Sequence, residues 1–475
     1  MNYVGTARPI HDAKGKATGY TKYAGDLSLP NMAYLCMLHS KIPHGYVKAV
    51  HAEKALALPG VYGVYHCLNT SDRKYNRYRS SFNQAYLANE ERAFNQYVRF
   101  VGDKIGVVAA CDQETAERAA RLVEVEYEEL PFSIGFDDTL AGKNCLEGET
   151  PVRDEYTLEV GKKQESTEGL IEVCSTMELP RLHHATMETH ACIADYDPYS
   201  DMLTVYCPNQ AVHGIRTVLA DFLEMPESHV RVVKATMGGS FGAKQEWFLE
   251  PVTALVAKKL CRPVKLVYSR GEAMTDTIVR GAMRMSARGY YTPDGEMKEI
   301  YCDVTLDAGA YIGNAGDYVR ALAGKPTRCY RIPYMHYHGQ VISSNSPVSG
   351  AFRSWSAAEE ALMMERQLDA AAEKLGMDRL AIRLKNVARS GEEDKKLHLS
   401  LEDIRIGDAI TLGSEKFGWD KLKAEDAAFN ASQQRYRRGV GIGIGGHGNT
   451  YFPRFNDYGE GSISLNADGS MQANF

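Results

Sequence analysis

The stretch from Val232 to Ser269 constrains the fold more than any other part of the chain. A β-branched run at Val232-Val233 leads into Met237-Gly238-Gly239-Ser240-Phe241-Gly242-Ala243-Lys244-Gln245. An apolar segment and the run Arg262-Pro263-Val264-Lys265-Leu266-Val267-Tyr268-Ser269 follow. This order predicts strand, glycine loop, helix and strand, with Pro251 at the helix start, where a missing N–H loses no needed bond. Glycines at 238, 239 and 242 leave the main chain bare, so its N–H groups can approach an anion or an oxo group closely, and Phe241 is the one bulky group on the loop. Lys244 is followed by Gln245, so no Walker-type Gly-Lys-Ser/Thr occurs and a nucleotide phosphate cradle is disfavoured. A tight turn whose glycines serve only backbone geometry is the alternative reading.

At 475 residues the chain is long for one domain, and two or more are expected. A formal charge of -6, without a long Lys/Arg run, gives no footprint for nucleic acid and no basic patch for a membrane surface. The first residues lack an apolar leader core, and no run of about eighteen apolar residues occurs, so a cytoplasmic protein is expected. The ten cysteines are scattered with no Cys-x-x-Cys pair, which argues against an iron–sulfur cluster or structural zinc built from this chain.

Short β-rich runs broken by Pro30-Asn31 and Pro59-Gly60 predict strands in residues 1 to 66, with a helical piece at 51 to 57. Residues 69 to 95 read as a long polar loop. Residues 99 to 110 read as a strand pair, Asp112 as the cap of a helix running through Arg121, and 123 to 127 as a strand. The acidic stretch from Asp137 to Glu168 reads as a surface linker. His183, His184 and His190 invite a metal, yet the zinc pattern His-Glu-x-x-His is absent, and packed histidines on a strand are the competing reading. Leu203 to Cys207 reads as a strand, and Pro208-Asn209-Gln210 as the turn into a helix ending near Glu224. The helix carrying Leu362, Leu368 and Leu375 is stopped by Gly376. Residues 437 to 447 match Gly-x-Gly-x-x-Gly, but no helix pattern follows, so they read as a glycine-rich strand. A hairpin at 462 to 475 leaves a terminal edge that calls for a partner.

Gly238-Gly239-Ser240-Phe241-Gly242-Ala243-Lys244-Gln245 resembles the glycine-rich signature of the molybdenum-binding large subunit of the xanthine dehydrogenase and aldehyde oxidoreductase family. His184-Ala185-Thr186-Met187-Glu188, Asp307-Ala308-Gly309-Ala310-Tyr311 and Gly350-Ala351-Phe352-Arg353 are similar to further phrases of that family. The resemblance implies an α+β chain: an amino-terminal hammerhead-like α/β module at 1–136, a linker at 137–168 and the first molybdopterin-binding domain at 169–475, incomplete at its carboxyl end. It implies a molybdenum–pterin cofactor in a dinucleotide form, with Gln210, Gly238, Gly239, Phe241, Gly242 and Arg353 around it, and Gln210, Phe241 and Arg353 near the molybdenum without ligating it.

By the same resemblance Gln245, Arg280 and Trp355 face the substrate, a purine or related N-heterocycle that would stack on the indole. No catalytic residue is identified in this chain. The base, a glutamate in the family, is expected on a second molybdenum-domain chain, with iron–sulfur clusters and FAD on separate subunits. Gly281-Ala282 replace the family's His-Pro, Ser354 and Ser356 replace two glycines, and Ala358-Glu359 replace Pro-Gln. No cysteine follows Arg353, which disfavours a carbon monoxide dehydrogenase. The competing readings are a non-catalytic fragment or scaffold subunit and an aldehyde oxidoreductase.

Overall fold

The computed structural model describes residues 4–78, 89–146, 148–432, 435–448, 459 and 461–474. Its largest sheet has seven strands in the spatial order Val230–Lys234, Met202–Cys207, Ala191–Asp197, Val264–Val267, Ala33–His39, Lys104–Ala110, Val61–His66. The amino-terminal and later parts of the chain therefore share one sheet. They are joined where Ala33–His39 runs parallel to Val264–Val267. Lys104–Ala110 is buried along its whole length, which is why its sequence is a continuous apolar run instead of an alternation. The helix Gln113–Ala120 follows, with the Asp112 side chain accepting from the Thr115 N–H as its cap. The region 99–110 holds the short strand Tyr97–Val98 at its edge and the one long strand Lys104–Ala110, in place of the expected adjacent pair.

A second, five-stranded sheet has the order Ile171–Leu179, Ala282–Tyr291, Met297–Asp307, Tyr334–Ile342, Val152–Gly161. Along Ala282–Tyr291 the side chains of Met283, Met285 and Ala287 turn into the core while Ser286 and Arg288 turn out, the period of two expected of a sheet with one wet face. The helix Ala357–Leu375 covers the inner face, burying Met363, Met364, Leu368, Ala371 and Ala372. Full burial of a side chain such as Leu368 contributes roughly 2 kcal/mol. Gly376, in the left-handed region, ends that helix as expected.

Several expectations are corrected. The stretch 137–168, read as a surface linker, contains most of the helix Phe136–Leu140 and the ten-residue strand Val152–Gly161, which pairs with Tyr334–Ile342. Its alternating side chains are half exposed, so an edge strand looks polar enough in sequence to pass for a loop. Residues 181–190 are irregular except for a bridge between Leu182 and Arg280, not a strand. Residues 437–447 form no strand.

The polar insert at 69–95 is a plug in its described parts. Arg77 forks onto Glu91, both almost fully buried, and Lys104 Nζ lies 3.6 Å from Glu91 and 3.7 Å from Asp276. Residues 79–88 of the insert lie outside the described residues. The terminal hairpin pairs Ser462–Leu465 with Met471–Asn474 and exposes Ile463, Leu465 and Met471. Among the described residues no helix is long and apolar enough to cross a membrane.

Candidate active site

Strand Val230–Lys234 delivers the chain into the glycine loop, and helix Glu250–Leu260, with Pro251 in its first turn, carries it away. Gly239 and Gly242 adopt φ of 97° and 105°, and Phe241 sits at φ 56°, about half exposed at the tip. The glycines answer to different causes. A Cβ on Gly238 would strike the Glu188 side chain, and one on Gly242 would run into the Ala351 carbonyl, whereas Gly239 needs only its positive φ. Gly242 is thus the point at which the loop touches a second loop, residues 349–356.

The anion nearest this backbone is internal. Glu188 Oε2 accepts from the Gly238 N–H at 2.6 Å and from Lys244 Nζ at 2.6 Å. Burial lowers the Lys244 ammonium and Glu188 opposes that shift, so the ion pair lies beneath the loop. Among the described residues the N–H groups of Gly239, Ser240, Phe241 and Gly242 donate to no protein acceptor. Gln210 is exposed beside them. Its backbone N–H donates to Lys244 O at 2.8 Å and its Oε1 accepts from Ser240 Oγ, which turns the amide nitrogen outward as a donor. Asn209, buried, fixes that turn by donating to Glu246 O at 2.8 Å and accepting from Ala211 N.

Glu246 ties the two loops together. Its Oε1 accepts from Asn314 Nδ2 at 3.0 Å and its carboxylate takes the Ala351 N–H, while Oε2 has no hydrogen bond. Burial pushes this carboxyl up to about 8, against the pull of Arg77. The histidines brace the same loops. His184 Nε2 pairs with Ala351 O at 2.8 Å, His190 Nε2 with Ala243 O at 3.0 Å and His183 Nε2 with Ala273 O at 2.9 Å. A ring nitrogen facing a carbonyl must carry the proton. Burial lowers both His184 and His190 to about 4, so these two are neutral donors. Among the described residues no group of three or more His, Cys, Asp or Glu could hold a metal ion, so the metal reading of the three histidines gives way to the packing one.

On the second loop Phe352 stacks on His184 at 4.2 Å, and the Arg280 guanidinium covers its other face at 4.3 Å. Arg280 is anchored: Nη1 pairs with Glu359 at 2.9 Å and Nη2 donates to Arg353 O at 3.1 Å. Arg353 itself is exposed, and its side chain makes no ion pair or hydrogen bond among the described residues. Trp355 is half-buried, with Tyr318 at 5.3 Å and Tyr78 at 6.4 Å between ring centroids. Gln245 is half-buried on the turn after the loop, held through its backbone N–H to Gly242 O at 3.1 Å. The glycine loop, Arg353 and Trp355 thus belong to two loops in contact, and Gln210 lies on a third segment that meets the first through Ser240 and Lys244. Arg280 lies behind the second of them, with its charge already paired.

Sequence reasoning missed Lys244, Glu246 and Glu359 as buried groups, and Glu188 as their half-buried neighbour. A signal existed for Glu246, a carboxylate set among Trp247, Phe248 and Leu249 in an apolar run.

Two family models match the chain. Residues 18–131 match the aldehyde oxidase and xanthine dehydrogenase a/b hammerhead domain, and 149–387 match the molybdopterin cofactor-binding domain. The chain is similar to the xanthine dehydrogenase molybdenum-binding subunit of Escherichia coli O157:H7, 29% identical over 97% of this chain and 61% of that protein. It is 30% identical to the nicotinate dehydrogenase large molybdopterin subunit of Eubacterium barkeri, over 80% of this chain and 88% of that one. The aldehyde oxidoreductase of Desulfovibrio gigas superposes with a TM-score of 0.88 at 25% identity, covering 99% of this chain and 52% of that structure. The chain thus spans about 61% of the length of the xanthine dehydrogenase subunit it matches.

Proposed function

Since the chain belongs to the xanthine dehydrogenase and aldehyde oxidase family of molybdopterin-binding proteins, we propose that it forms the cofactor-binding part of a hydroxylase that oxidises a purine or related N-heterocycle, with water as the oxygen source. The observation that carries this reading is a convergence of donors. Among the described residues, the four N–H groups from Gly239 to Gly242 and the Arg353 guanidinium, without protein acceptors, lie on two touching loops, with the Gln210 amide beside the first. Such a set of donors fits an anionic, oxygen-rich cofactor.

The molybdenum–pterin cofactor, when bound, supplies oxygen transfer and takes up the electron pair. The chain's own residues hold and shield. The Gly239–Gly242 backbone and Gln210 donate to oxygens of the cofactor, Arg353 offsets its negative charge, and Phe241 screens the crevice from water. Trp355 offers a flat face to a heteroaromatic ring, and Gln245 a polar contact beside it. Arg280 holds the Arg353 carbonyl, and so serves the loop that carries Trp355.

Among the described residues, the carboxylates against the two loops are paired or buried. Glu188 is held by Gly238 and Lys244, while Glu246 and Glu359 are buried behind the loops. In this reading the base comes from a second molybdenum-domain segment or chain, with iron–sulfur and FAD subunits carrying electrons away. The Eubacterium barkeri subunit, of which this chain covers 88%, is a precedent for a molybdopterin subunit of similar extent.

Oxidation of an aldehyde is the second reading, and one observation favours it: Arg280, one of three residues behind the purine assignment, has its charge committed to Glu359. Purine turnover left intact by Arg280→Met, in the assembled enzyme, would remove Arg280 from the substrate site. The decisive experiment is native mass spectrometry with metal analysis on untagged protein from its own host, followed by turnover of purines, pyridine carboxylates and aldehydes. Molybdenum and partner chains travelling with this one, with heterocycle turnover, are expected. A metal-free, solitary protein would leave the non-catalytic scaffold.

A further inference from the structure

Ser354, Trp355 and Ser356 have φ of 79°, 39° and 63°, three successive side-chain-bearing residues in the region that L-residues avoid. Such a turn persists only where its surroundings over-determine it. On its amino-terminal side it is held by Arg280 at the Arg353 carbonyl and by His184 at the Ala351 carbonyl. On the other side the Tyr318 ring lies 5.3 Å from the Trp355 indole and the Ser356 carbonyl accepts from the Glu360 N–H, and among the described residues one charged side chain reaches the turn. Lys325 Nζ donates to the Trp355 carbonyl and, at 2.8 Å, to Ser356 Oγ. Glu360, buried on the first turn of helix Ala357–Leu375, and Glu359 beside it oppose the effect of burial on the lysine, and among the described residues Glu360 Oε1 makes no hydrogen bond. Burial draws the Lys325 ammonium down to about 8 and pushes the Glu360 carboxyl up to about 8. A charged donor has been taken out of water to meet one strained carbonyl.

We propose that Lys325 is a positioning residue: by clamping the Trp355 carbonyl and the Ser356 hydroxyl it holds the indole of Trp355 in place, and so sets the affinity of the crevice for a flat ring. The last clause rests on Trp355 facing substrate, as in the function proposed above. The first stands on the geometry alone.

The test is Lys325→Met in the full-length chain within its complex. Methionine matches the lysine in length and lacks its donors, and Glu360 can remain protonated at pH 7, so the variant strands no charge. Hydrogen exchange is read at the Trp355 and Ala357 amides, which donate to Phe352 O and Ser354 O. Loss of a charge-assisted bond is expected to speed both by roughly ten-fold or more, with peptides elsewhere unchanged, and Lys325→Arg is expected to restore part of the protection. In turnover of the heterocycle, KM is expected to rise about ten-fold with kcat nearly constant, the mark of lost uniform binding.

Unchanged exchange at residues 353–357 would overturn the proposal, as would exchange raised equally throughout the chain. Faster local exchange with KM unmoved would keep Lys325 as the clamp, but would remove Trp355 from the substrate and the affinity clause with it. Should Lys325→Met fail to fold, Lys325→Gln, which keeps one shorter donor, takes its place, with an intermediate gain in exchange expected. No gain there would again overturn the proposal.

Discussion

Glu246 offers the sharpest quantitative test of how the two loops are held. It is 1% exposed, it follows the glycine loop and meets the second loop at Gly350 and Ala351, Asn314 donates to it, and among the described residues one of its oxygens has no partner. Burial raises its carboxyl from 4.5 to about 8, with Arg77 opposing the rise. A carboxyl raised in the folded state stabilises the fold below its unfolded pKa, and that stability is lost as pH climbs through the folded pKa. Over the interval from 4.5 to about 8, at 1.36 kcal/mol per pH unit, the loss is at most roughly 5 kcal/mol. Glutamine has nearly the same shape, can still accept from Asn314 and the Ala351 N–H, and cannot ionise. Glu246→Gln is therefore expected to match the parent protein within about 1 kcal/mol at pH 5, and to exceed it by roughly 2–5 kcal/mol at pH 9. Urea denaturation of both proteins at pH 5, 7 and 9 gives the difference free of every other titrating group. A difference that stays flat across that range would mean that Glu246 is ionised throughout and paired with Arg77, and the account of a neutral carboxyl bridging the loops would be wrong.

Gly242→Ala forces a Cβ into the Ala351 carbonyl at φ 105°, and is expected to cost about 3 kcal/mol or more and to lower the molybdenum bound per chain; unchanged urea midpoint and metal content would refute it. Ser354→Gly removes both a positive-φ side chain and a buried hydroxyl without a hydrogen bond, and should stabilise the protein by about 1 kcal/mol in the same assay. Lys244→Met leaves Glu188 with only the Gly238 N–H, at an expected cost of about 3–5 kcal/mol. Adding Glu188→Gln should recover part of that loss in a double-mutant cycle, and strict additivity would count against the pair.

Much of the fold was legible because it is local. The strand, loop, helix and strand order from Val230 to Val267, the Asp112 cap and the Gly376 stop each rest on backbone preferences within a few residues. The family resemblance was legible for a related reason, since short phrases such as Gly238 to Gln245 keep their order whatever surrounds them. What failed was long-range. The edge strand Val152–Gly161 has the polarity of a linker until Tyr334–Ile342 pairs with it, and the insert's Arg77 and Glu91 read as surface charges until the chain folds them against Phe248 and Lys104.

The crevice divides in the same way. The sequence by itself determined its parts: the bare glycine backbone, the turn at Gln210, the arginine at 353 and the aromatic at 355. Only the tertiary structure decided their roles: that Gly238 meets Glu188, that Gly242 is needed for Ala351, that Arg280 is committed to Glu359, and that Lys325 meets the Trp355 carbonyl. Most of these partners lie far apart in the chain. A sequence pattern records which face a residue prefers, but not which distant carbonyl or carboxylate will be buried against it. The free energy of a buried charge is set by that partner.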